Sequence, residues 1–275
     1  MAGGRKMKIA VTGGSGFLGQ SAIKAAANAG HEAWSFDRDN GDDVLGSLDN
    51  LRDADTVIHL AGMLGTSELF DVPEQAVQVN VVGTIRILQW CRDHNVSYVG
   101  ISMPEVFPSV YTATKTCATR LASAWHHAYG VPVAHVRAFN AYGPGQKHGP
   151  GHPQKILPTF ATEAWAGRPI PVWGDGEQTI DLVHSDDVGQ VLVEAARYGD
   201  DSTFDAGTGQ SVTVNELARF VLEETGSSAG IKYLPMRPGE IPTKIVAEGE
   251  GWERLRHVPK LVWDDVAKAV HSYKP

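Results

Sequence analysis

Residues 12–19 read Thr12-Gly13-Gly14-Ser15-Gly16-Phe17-Leu18-Gly19 and separate a short β-rich run from a helical pattern. Three glycines spaced by three let the backbone approach a pyrophosphate at the N-terminus of the following helix. Asp37 ends the second β-rich run, 18 residues beyond Gly19, where a carboxylate would meet the hydroxyls of an adenosine ribose. The turn, its flanking elements and Asp37 together predict a dinucleotide-binding site.

The charge of Asp37 predicts which dinucleotide binds there. A carboxylate accepts hydrogen bonds from ribose hydroxyls but repels a 2′-phosphate, so Asp37 favours NAD over NADP. The neighbouring Arg38 acts in the opposite sense. We expect NAD as the cofactor.

Short apolar β-rich runs alternate with helical patterns through the first half of the chain. The predicted strands are 8–11, 32–36, 56–60, 97–102 and 132–136, and the predicted helices are 17–28, 74–93 and 112–129. Continuous apolar runs of this length are typical of parallel strands buried on both faces. The pattern predicts an α/β fold, a doubly wound parallel sheet of the Rossmann type.

A second, smaller region begins where glycine and proline become dense, at residues 142–153. Further helices are predicted at 155–166, 186–197, 214–224 and 263–272, and short strands around residue 172, at 181–184 and at 203–205. The last of these strands returns the chain to the sheet. We predict an NAD-binding domain at 7–138 plus about 178–206, and a C-terminal substrate-binding region at about 139–177 plus 207–275.

Composition excludes several classes of protein. The 275 residues include 24 Lys and Arg against 32 Asp and Glu, a net charge of −8. The chain therefore has no excess of positive charge to attract a nucleic-acid backbone or an anionic membrane. Two cysteines make no disulfide framework, and no run resembles a membrane span or a signal peptide. His148 and His152 lack a nearby carboxylate or thiol, so no metal site is predicted. We expect a cytoplasmic protein.

Tyr111 and Lys115 lie four residues apart on a helical pattern, so both side chains share one helix face. An ammonium group beside a phenol can lower the pKa of the phenol and let it take a proton from a hydroxyl. This pairing is common by chance in amphipathic helices. Its place in a βαβ chain predicts an alcohol-oxidising pair.

With these features the chain resembles the extended short-chain dehydrogenase/reductase family, and within it the NAD-dependent nucleotide-sugar epimerases and dehydratases. The resemblance runs from Lys8 to about Tyr273. Besides residues 12–19, Asp37, Tyr111 and Lys115, it is carried by His59-Leu60-Ala61-Gly62, Asn80 with Gly83-Thr84, residues 137–144, residues 174–178 with Asp187, and residues 237–240.

The resemblance implies a role for each matching residue. The implied cofactor contacts are Gly13, Ser15, Gly16, Phe17, Leu18, Gly19, Asp37, Arg38, Asp43, Val44, Leu60, Ala61, Gly62, Asn80, Tyr111 and Lys115. The implied substrate contacts are Asn140, Val172, Gln178 and Arg237, and the implied catalytic residues are Tyr111, Lys115, Glu105 and Ser102. The implied substrate is a nucleotide-diphosphate sugar. Relatives pair through the helices equivalent to 74–93 and 112–129, so we expect a homodimer.

The sequence departs from the family pattern at three places. Met103 stands where relatives carry a Ser or Thr that hydrogen-bonds the reacting hydroxyl, and Ser102 or Ser109 could replace it. The segment from Phe107 to Tyr111 is much shorter than in relatives, so the site should be open. Ile180 stands where the family often has an Arg, which leaves Arg237 to meet more of the phosphate charge.

Three functions remain open from the sequence. Glu105 matches the position of the base in the family's dehydratases, which favours dehydratase chemistry through a 4-keto intermediate. Pro104 takes the place of the neighbouring acid of those dehydratases, so a nucleotide-sugar 4-epimerase is the alternative. The departures at Met103 and Ile180 also allow a noncatalytic NAD or nucleotide-sugar binder, although the retained Tyr111 and Lys115 argue against it.

Overall fold

The computed structural model describes residues 6–104, 106–149, 152–237 and 239–275. The strands are β1 (Lys8–Thr12), β2 (Glu32–Phe36), β3 (Thr56–His59), β4 (Ser97–Ser102), β5 (Val133–Ala138), β6 (Asn140–Tyr142), β7 (Ile170–Trp173), β8 (Thr179–Ile180), β9 (Leu182–His184), β10 (Asp200–Ala206), β11 (Val212–Thr213) and β12 (Ile231–Leu234). The helices are α1 (Phe17–Asn28), α2 (Pro73–Val77), α3 (Gly83–His94), α4 (Val110–Tyr129), α5 (Ile156–Trp165), α6 (Ser185–Ala195), α7 (Val214–Thr225) and α8 (Trp263–His271).

Six strands form the central sheet in the order β10-β5-β4-β3-β1-β2, and every pair in it is parallel. Three two-stranded sheets, β11-β8, β12-β7 and β6-β9, lie outside it. The order runs outward from β1 and β3 in both directions, as in a doubly wound sheet. The predicted fold class is confirmed.

The sheet is covered on both faces, and alternate residues of β1 show why its strands are apolar throughout. Ile9 and Val11 pack in one core with side chains of α1 and α6, while Ala10 packs in a second with side chains of α3 and α4. Successive side chains of a strand point to opposite faces, so a strand between two helical layers needs apolar residues at each position.

A third core lies beyond the central sheet and is built from α5, α7, α8 and the short strands. Its fully buried side chains include Leu157, Ile170 and Leu217. Ile180 and Leu182 also belong to it, although both lie in the segment predicted for the NAD-binding domain. The proposed domain boundaries therefore stay a prediction, with this segment shared between the two cores.

Most predicted elements agree with the structure to within a few residues, and three differ in kind or extent. The helix predicted at 74–93 is interrupted by a π-helical turn at Gln78–Val82. Strand β5 continues two residues beyond its predicted end, to Ala138. The strand predicted at 181–184 begins one residue later, as β9, and Asp181 separates it from β8, with its carboxylate accepting hydrogen bonds from Thr208, Gly209 and Ala247. None of the described helices has the length and apolar character to cross a membrane.

Helices α1 and α6 approach each other closely at Gly189, which lies within α6. A Cβ added at Gly189 would stand 2.5 Å from the carbonyl oxygen of Ser21 and 2.6 Å from its carbonyl carbon. Both are backbone atoms of α1, so a side-chain rotation cannot relieve the contact. The absence of a side chain at Gly189 sets the distance between the two helices.

We expect Gly189→Ala to destabilise the protein although alanine is the better helix former. The gain in helix propensity is about 1 kcal/mol, whereas a methyl group forced into packed backbone costs about 1–3 kcal/mol. Urea unfolding measures the free energy of unfolding of the variant and of the unmodified protein. Gln190→Ala, on the partly exposed face of the same helix, is the control. Unchanged or increased stability of Gly189→Ala would contradict the close packing.

Candidate functional site

A cleft of about 1030 Å³ opens at the carboxyl ends of the central strands, between the sheet and the third core. The residues that follow β1, β2, β3, β4 and β5 all contribute to its walls. Open parallel α/β sheets bind ligands at this edge, where the direction of the strand order reverses.

The glycine turn forms one end of the cleft and packs directly on the segment after β3. Gly13 has a φ of 71°, and a Cβ there would stand 2.8 Å from the backbone nitrogen of Ala61. A Cβ at Gly19 would stand 2.2 Å from the carbonyl oxygen of Gly13. Helix α1 begins at Phe17, so its free N–H groups face the cleft beside this cradle. These residues fit the pyrophosphate of a dinucleotide.

Asp37 lies at the end of β2 with its carboxylate beside the glycine turn. One carboxylate oxygen accepts a hydrogen bond from the backbone N–H of Ser15 at 3.1 Å, and the other accepts one from Asp39, also at 3.1 Å. Asp37 and Arg38 both line the cleft. The carboxylate is therefore held where the sequence predicts a ribose contact.

A buried chain of hydrogen bonds centred on His59 supports this end of the cleft. The Thr84 hydroxyl donates to the carbonyl oxygen of Asn80 at 2.7 Å, so it accepts from His59 Nε2 at 3.1 Å. His59 Nδ1 then accepts from the Thr12 hydroxyl at 2.7 Å, and that hydroxyl accepts from the N–H groups of Leu60 and Ala61. Burial, with a smaller contribution from the Lys115 charge, lowers the pKa of His59 to about 3. The imidazole is neutral.

Tyr111 and Lys115 face the cleft from the first turns of α4, close to the cofactor end. The Lys115 side chain is almost fully buried, and burial lowers its pKa to about 8. Burial also raises the pKa of Tyr111 to about 12. Within the part of the chain that the structure describes, neither the phenol nor the ammonium group has a hydrogen-bond partner.

The pKa of Tyr111 differs in direction from the sequence-based expectation. The sequence predicts that a neighbouring ammonium lowers this pKa, whereas desolvation of the phenol raises it. This phenol becomes a base only when it loses its proton, which a further positive charge in the cleft would favour. Tyr111 and Lys115 are therefore not ready for proton transfer until their ligands bind.

The two serines offered as replacements for the missing hydroxyl at Met103 have different positions. Ser102 lines the cleft, and its hydroxyl donates a long hydrogen bond of 3.4 Å to the carbonyl oxygen of Val136. Ser109 is the buried N-cap of α4 and exchanges hydrogen bonds with Thr112. Ser109 does not line the cleft, and its hydroxyl is held at the start of α4 by the N–H of Thr112. Glu105 lies outside the described residues.

Fifteen of the sixteen cofactor contacts implied by the resemblance line the cleft, and Asn80 does not. The Asn80 side chain is buried in the π-helical turn, where its amide donates to Met63 and Thr114 and its carbonyl oxygen accepts from the N–H of Met63. It holds the segment that follows Gly62. Its contribution to the cofactor site is structural.

Three of the four implied substrate contacts, Asn140, Gln178 and Arg237, line the far end of the cleft. Val172 does not, and this expectation is corrected. Its side chain is fully buried in the third core, because strand alternation turns it away from the face that Trp173 presents to Arg237. The Arg237 guanidinium lies 5.0 Å from the centre of the Trp173 ring.

The sequence alone did not indicate several charged residues at this end of the cleft. Glu240 forms an ion pair with Arg237 and accepts a hydrogen bond from Thr66 at 3.3 Å. Lys155 also lines the cleft, where burial lowers its pKa while Glu68 opposes the shift. Lys155 directly precedes α5, with no motif around it that signals a ligand contact. Its place in the cleft becomes visible only in the folded chain.

Comparisons with known proteins agree with the geometry. A model of the NAD dependent epimerase/dehydratase family matches residues 9–207. The dTDP-glucose 4,6-dehydratase of Streptomyces niveus is 26% identical over 283 residues, which cover 85% of this chain and 82% of that protein.

Two solved structures resemble the whole chain. The UDP-glucose 4-epimerase of Thermotoga maritima with UDP-glucose is 25% identical, with a TM-score of 0.83 and coverage of 98% of this chain and 99% of that one. The dTDP-glucose 4,6-dehydratase DesIV of Streptomyces venezuelae, which has NAD bound, is 25% identical, with a TM-score of 0.86 and coverage of 98% and 97%. The resemblance read from the sequence and the prediction of NAD are confirmed.

We expect the protein to bind NAD at least roughly tenfold more tightly than NADP, because the Asp37 carboxylate repels a 2′-phosphate. Asp37→Ser should reduce the ratio of NAD affinity to NADP affinity, because it raises the affinity for NADP and lowers the affinity for NAD. Calorimetric titration with NAD and with NADP measures both affinities, and Asp39→Ser, a change at a neighbouring carboxylate, is the control. Tighter binding of NADP than of NAD by the unmodified protein would remove Asp37 as the determinant.

Proposed function

The chain belongs to the NAD-dependent epimerase/dehydratase family, and we propose that it oxidises the C4 hydroxyl of a nucleotide-diphosphate sugar to a 4-keto intermediate. One observation supports this most strongly. Tyr111 and Lys115 face the same cleft as the glycine turn, and that cleft continues to Arg237 and Lys155. A proton acceptor, a dinucleotide cradle and cations for a diphosphate therefore share one space.

Tyr111 is the proposed proton acceptor for the sugar hydroxyl. NAD, when bound, accepts the hydride that leaves C4 and later returns it to the sugar. As a phenolate, Tyr111 Oη takes the hydroxyl proton in the same step and becomes a phenol, and the Lys115 ammonium stabilises the phenolate that must be present beforehand. Because the pKa of Lys115 is about 8, the ammonium is mostly charged at neutral pH and loses its charge as the pH rises above that value.

The far end of the cleft is the proposed site of the substrate diphosphate. The chain is acidic overall, with a net charge of −8, so local cations must attract the anion. Arg237 offers a planar guanidinium and Lys155 a partly desolvated ammonium. Ile180 lines the same region, where a third cation is missing relative to the family pattern.

We expect Tyr111→Phe to lower turnover by about 10²–10⁴-fold, the usual contribution of a general base. Since the phenol hydroxyl has no hydrogen-bond partner among the described residues, folding and NAD affinity should change little. A panel of nucleotide sugars, followed by mass spectrometry and NMR, identifies the substrate and measures its turnover. Tyr129→Phe, at the exposed end of the same helix, is the control. Undiminished turnover would exclude Tyr111 from the mechanism.

Dehydratase chemistry is the finer proposal. The 4-ketone acidifies the C5 hydrogen, so a base at C5 can remove it while the C6 oxygen departs as water. Glu105 occupies the sequence position of that base, and relatives of this chain include dTDP-glucose 4,6-dehydratases. Pro104 precedes it in place of an acid, so another donor or water must protonate the departing oxygen.

A 4-epimerase is the alternative, in which the ketosugar turns over in the cleft and receives the hydride on its other face. Two observations favour it: the absence of an acid at Pro104, and the likeness to a UDP-glucose 4-epimerase over the full chain. A noncatalytic binder is disfavoured because Tyr111 and Lys115 both face the cleft.

We expect the unmodified protein to release water from its sugar and to incorporate deuterium at C5 in D₂O. Glu105→Gln keeps the shape but removes the base, so it should lose water release by about 10²–10⁴-fold while still oxidising C4. Glu105→Asp, which keeps a shorter base, should retain part of the activity. Water release by Glu105→Gln at the rate of the unmodified protein would exclude Glu105 as the C5 base, and a C4 epimer formed without C5 exchange or water release would establish the epimerase instead.

The homodimer stays a prediction. Its proposed contact uses α3 and α4, which pack against each other on one face of the sheet. The outer face of α4 exposes small side chains at Ala113, Cys117 and Ala124, which would let a second helix pair approach closely.

A further inference from the structure

A stretch of the cleft wall without helix or strand follows β6. Residues 143–147, called the wall segment below, come directly after the strand that carries Asn140, and the residues at 144, 145, 146 and 147 all line the cleft. No backbone-to-backbone hydrogen bond joins the wall segment to the rest of the described chain. Side chains must therefore fix its position.

A tight turn occupies the middle of the wall segment. Pro144 and Gly145 are its central residues, and Gly145 has a φ of 80°, a value that the second central residue of a type II turn adopts. The hydroxyl oxygen of Tyr273 lies 3.3 Å from the carbonyl oxygens of Gly143 and of Gln146, the first and last residues of that turn. The hydroxyl has one proton to donate to these two acceptors, so it ties both ends of the turn at one point.

Tyr273 lies two residues beyond α8 and is fixed to the third core. Its N–H donates to the carbonyl oxygen of Val270 at 3.2 Å, and the same carbonyl accepts from the Trp165 indole of α5 at 3.0 Å. Val270 is fully buried. Burial raises the pKa of Tyr273 to about 12, so the hydroxyl keeps the proton that it donates at neutral pH. The third core therefore holds the wall segment through this phenol.

The other contacts of the wall segment are local or give no direction. A Cβ added at Gly143 would stand 3.5 Å from a ring carbon of Phe17, at the start of α1, so the segment packs against the cofactor end of the cleft. The Gln146 amide donates to the carbonyl oxygen of Ala141 at 3.3 Å, within the same stretch of chain. Among the described residues, Tyr273 supplies the hydrogen bonds that tie the wall segment to a distant part of the chain.

We propose that Tyr273 is a positioning residue for the substrate, whose hydroxyl holds the turn of the wall segment where that segment meets a bound nucleotide sugar. The proposal rests on the proposed function, because it takes the ligand beside this wall to be a nucleotide sugar. Tyr273 does not itself line the cleft, so it acts through residues 143–147. It lies beyond residues 237–240, the last motif that carries the family resemblance.

Loss of this hydroxyl should weaken substrate binding and leave the chemical step unchanged. A wall segment freed from Tyr273 must be ordered when the substrate binds, and that cost raises KM. Once the substrate is bound, the wall is in place. Tyr111 and Lys115 belong to α4 and not to the wall segment, so kcat should not change.

Tyr273→Phe removes the hydroxyl and keeps the ring, whose centre lies 5.1 Å from that of His148 in an edge-on contact. Tyr198→Phe is the matched control, because the Tyr198 hydroxyl also donates to a backbone carbonyl, that of Arg254 at 2.7 Å, and Tyr198 does not line the cleft. With the nucleotide sugar that the substrate panel identifies, we expect Tyr273→Phe to raise KM about fivefold at unchanged kcat, the usual effect of one lost hydrogen bond. Tyr198→Phe should change neither constant.

Hydrogen exchange followed by mass spectrometry reports on the wall segment directly. Amides in peptides that cover residues 143–148 should exchange faster in Tyr273→Phe than in the unmodified protein or in Tyr198→Phe. A saturating concentration of the nucleotide sugar should slow this exchange again. Calorimetric titration with NAD should give the same affinity for all three proteins, which shows that the cofactor end is intact.

Three results for Tyr273→Phe would each overturn the proposal and leave the proposed function standing. They are a KM that is unchanged or rises no more than in Tyr198→Phe, a fall in kcat at constant KM, and a rise in KM without faster exchange at residues 143–148. If the unmodified protein turns over no nucleotide sugar of the panel, the proposed function fails, and the role of Tyr273 in substrate binding fails with it.

Discussion

The buried neutral imidazole of His59 joins the three pieces of chain on which the cofactor end of the cleft depends. Through Thr12 it holds the end of β1 and the N–H groups of Leu60 and Ala61, and through Thr84 it reaches α3. Gly13 can then lie directly on Ala61. A protonated imidazole would lose its acceptor at Nδ1 and carry an unpaired buried charge, so the arrangement requires a neutral ring. The pKa of about 3 meets that requirement.

The two ends of the cleft differ in their electrostatics. At the reacting end, burial raises the pKa of Tyr111 to about 12 and lowers that of Lys115 to about 8, so Lys115 stays mostly charged at neutral pH while the phenol needs further positive charge to ionise. At the substrate end, the cations Arg237 and Lys155 already face the carboxylates of Glu240 and Glu68. The proposed diphosphate would compete with these carboxylates, which limits how much of its affinity could come from charge alone.

The sequence was sufficient for features that local chemistry determines. The glycine turn, Asp37 and the Tyr111–Lys115 pair are defined by spacing, and the apolar runs located the strands of the sheet. The sequence was insufficient for features that depend on how distant parts of the chain pack together. Val172 belongs to a core that forms only when β7 meets β12, and the capping role of Ser109 was not predicted because a hydroxyl next to a site looks the same in sequence as a helix cap. The π-helical turn at Asn80 and the ligand-facing Lys155 depend on the folded surroundings.

The departures from the family pattern point in one direction when they are placed in the structure. Met103 and Ile180 both line the cleft, and each replaces a polar group by an apolar one. Relative to the family pattern, the cleft lacks one hydroxyl and one cation at these two positions. Its remaining directional contacts are few, which raises the share of binding that each must supply. Apolar walls exclude water but do not orient a ligand. The orientation of a ligand therefore depends on polar groups that are held as hydrogen-bond donors or acceptors before the ligand binds. Among the residues that line the cleft, Gln178 has its amide held by a hydrogen bond to the carbonyl oxygen of Trp173.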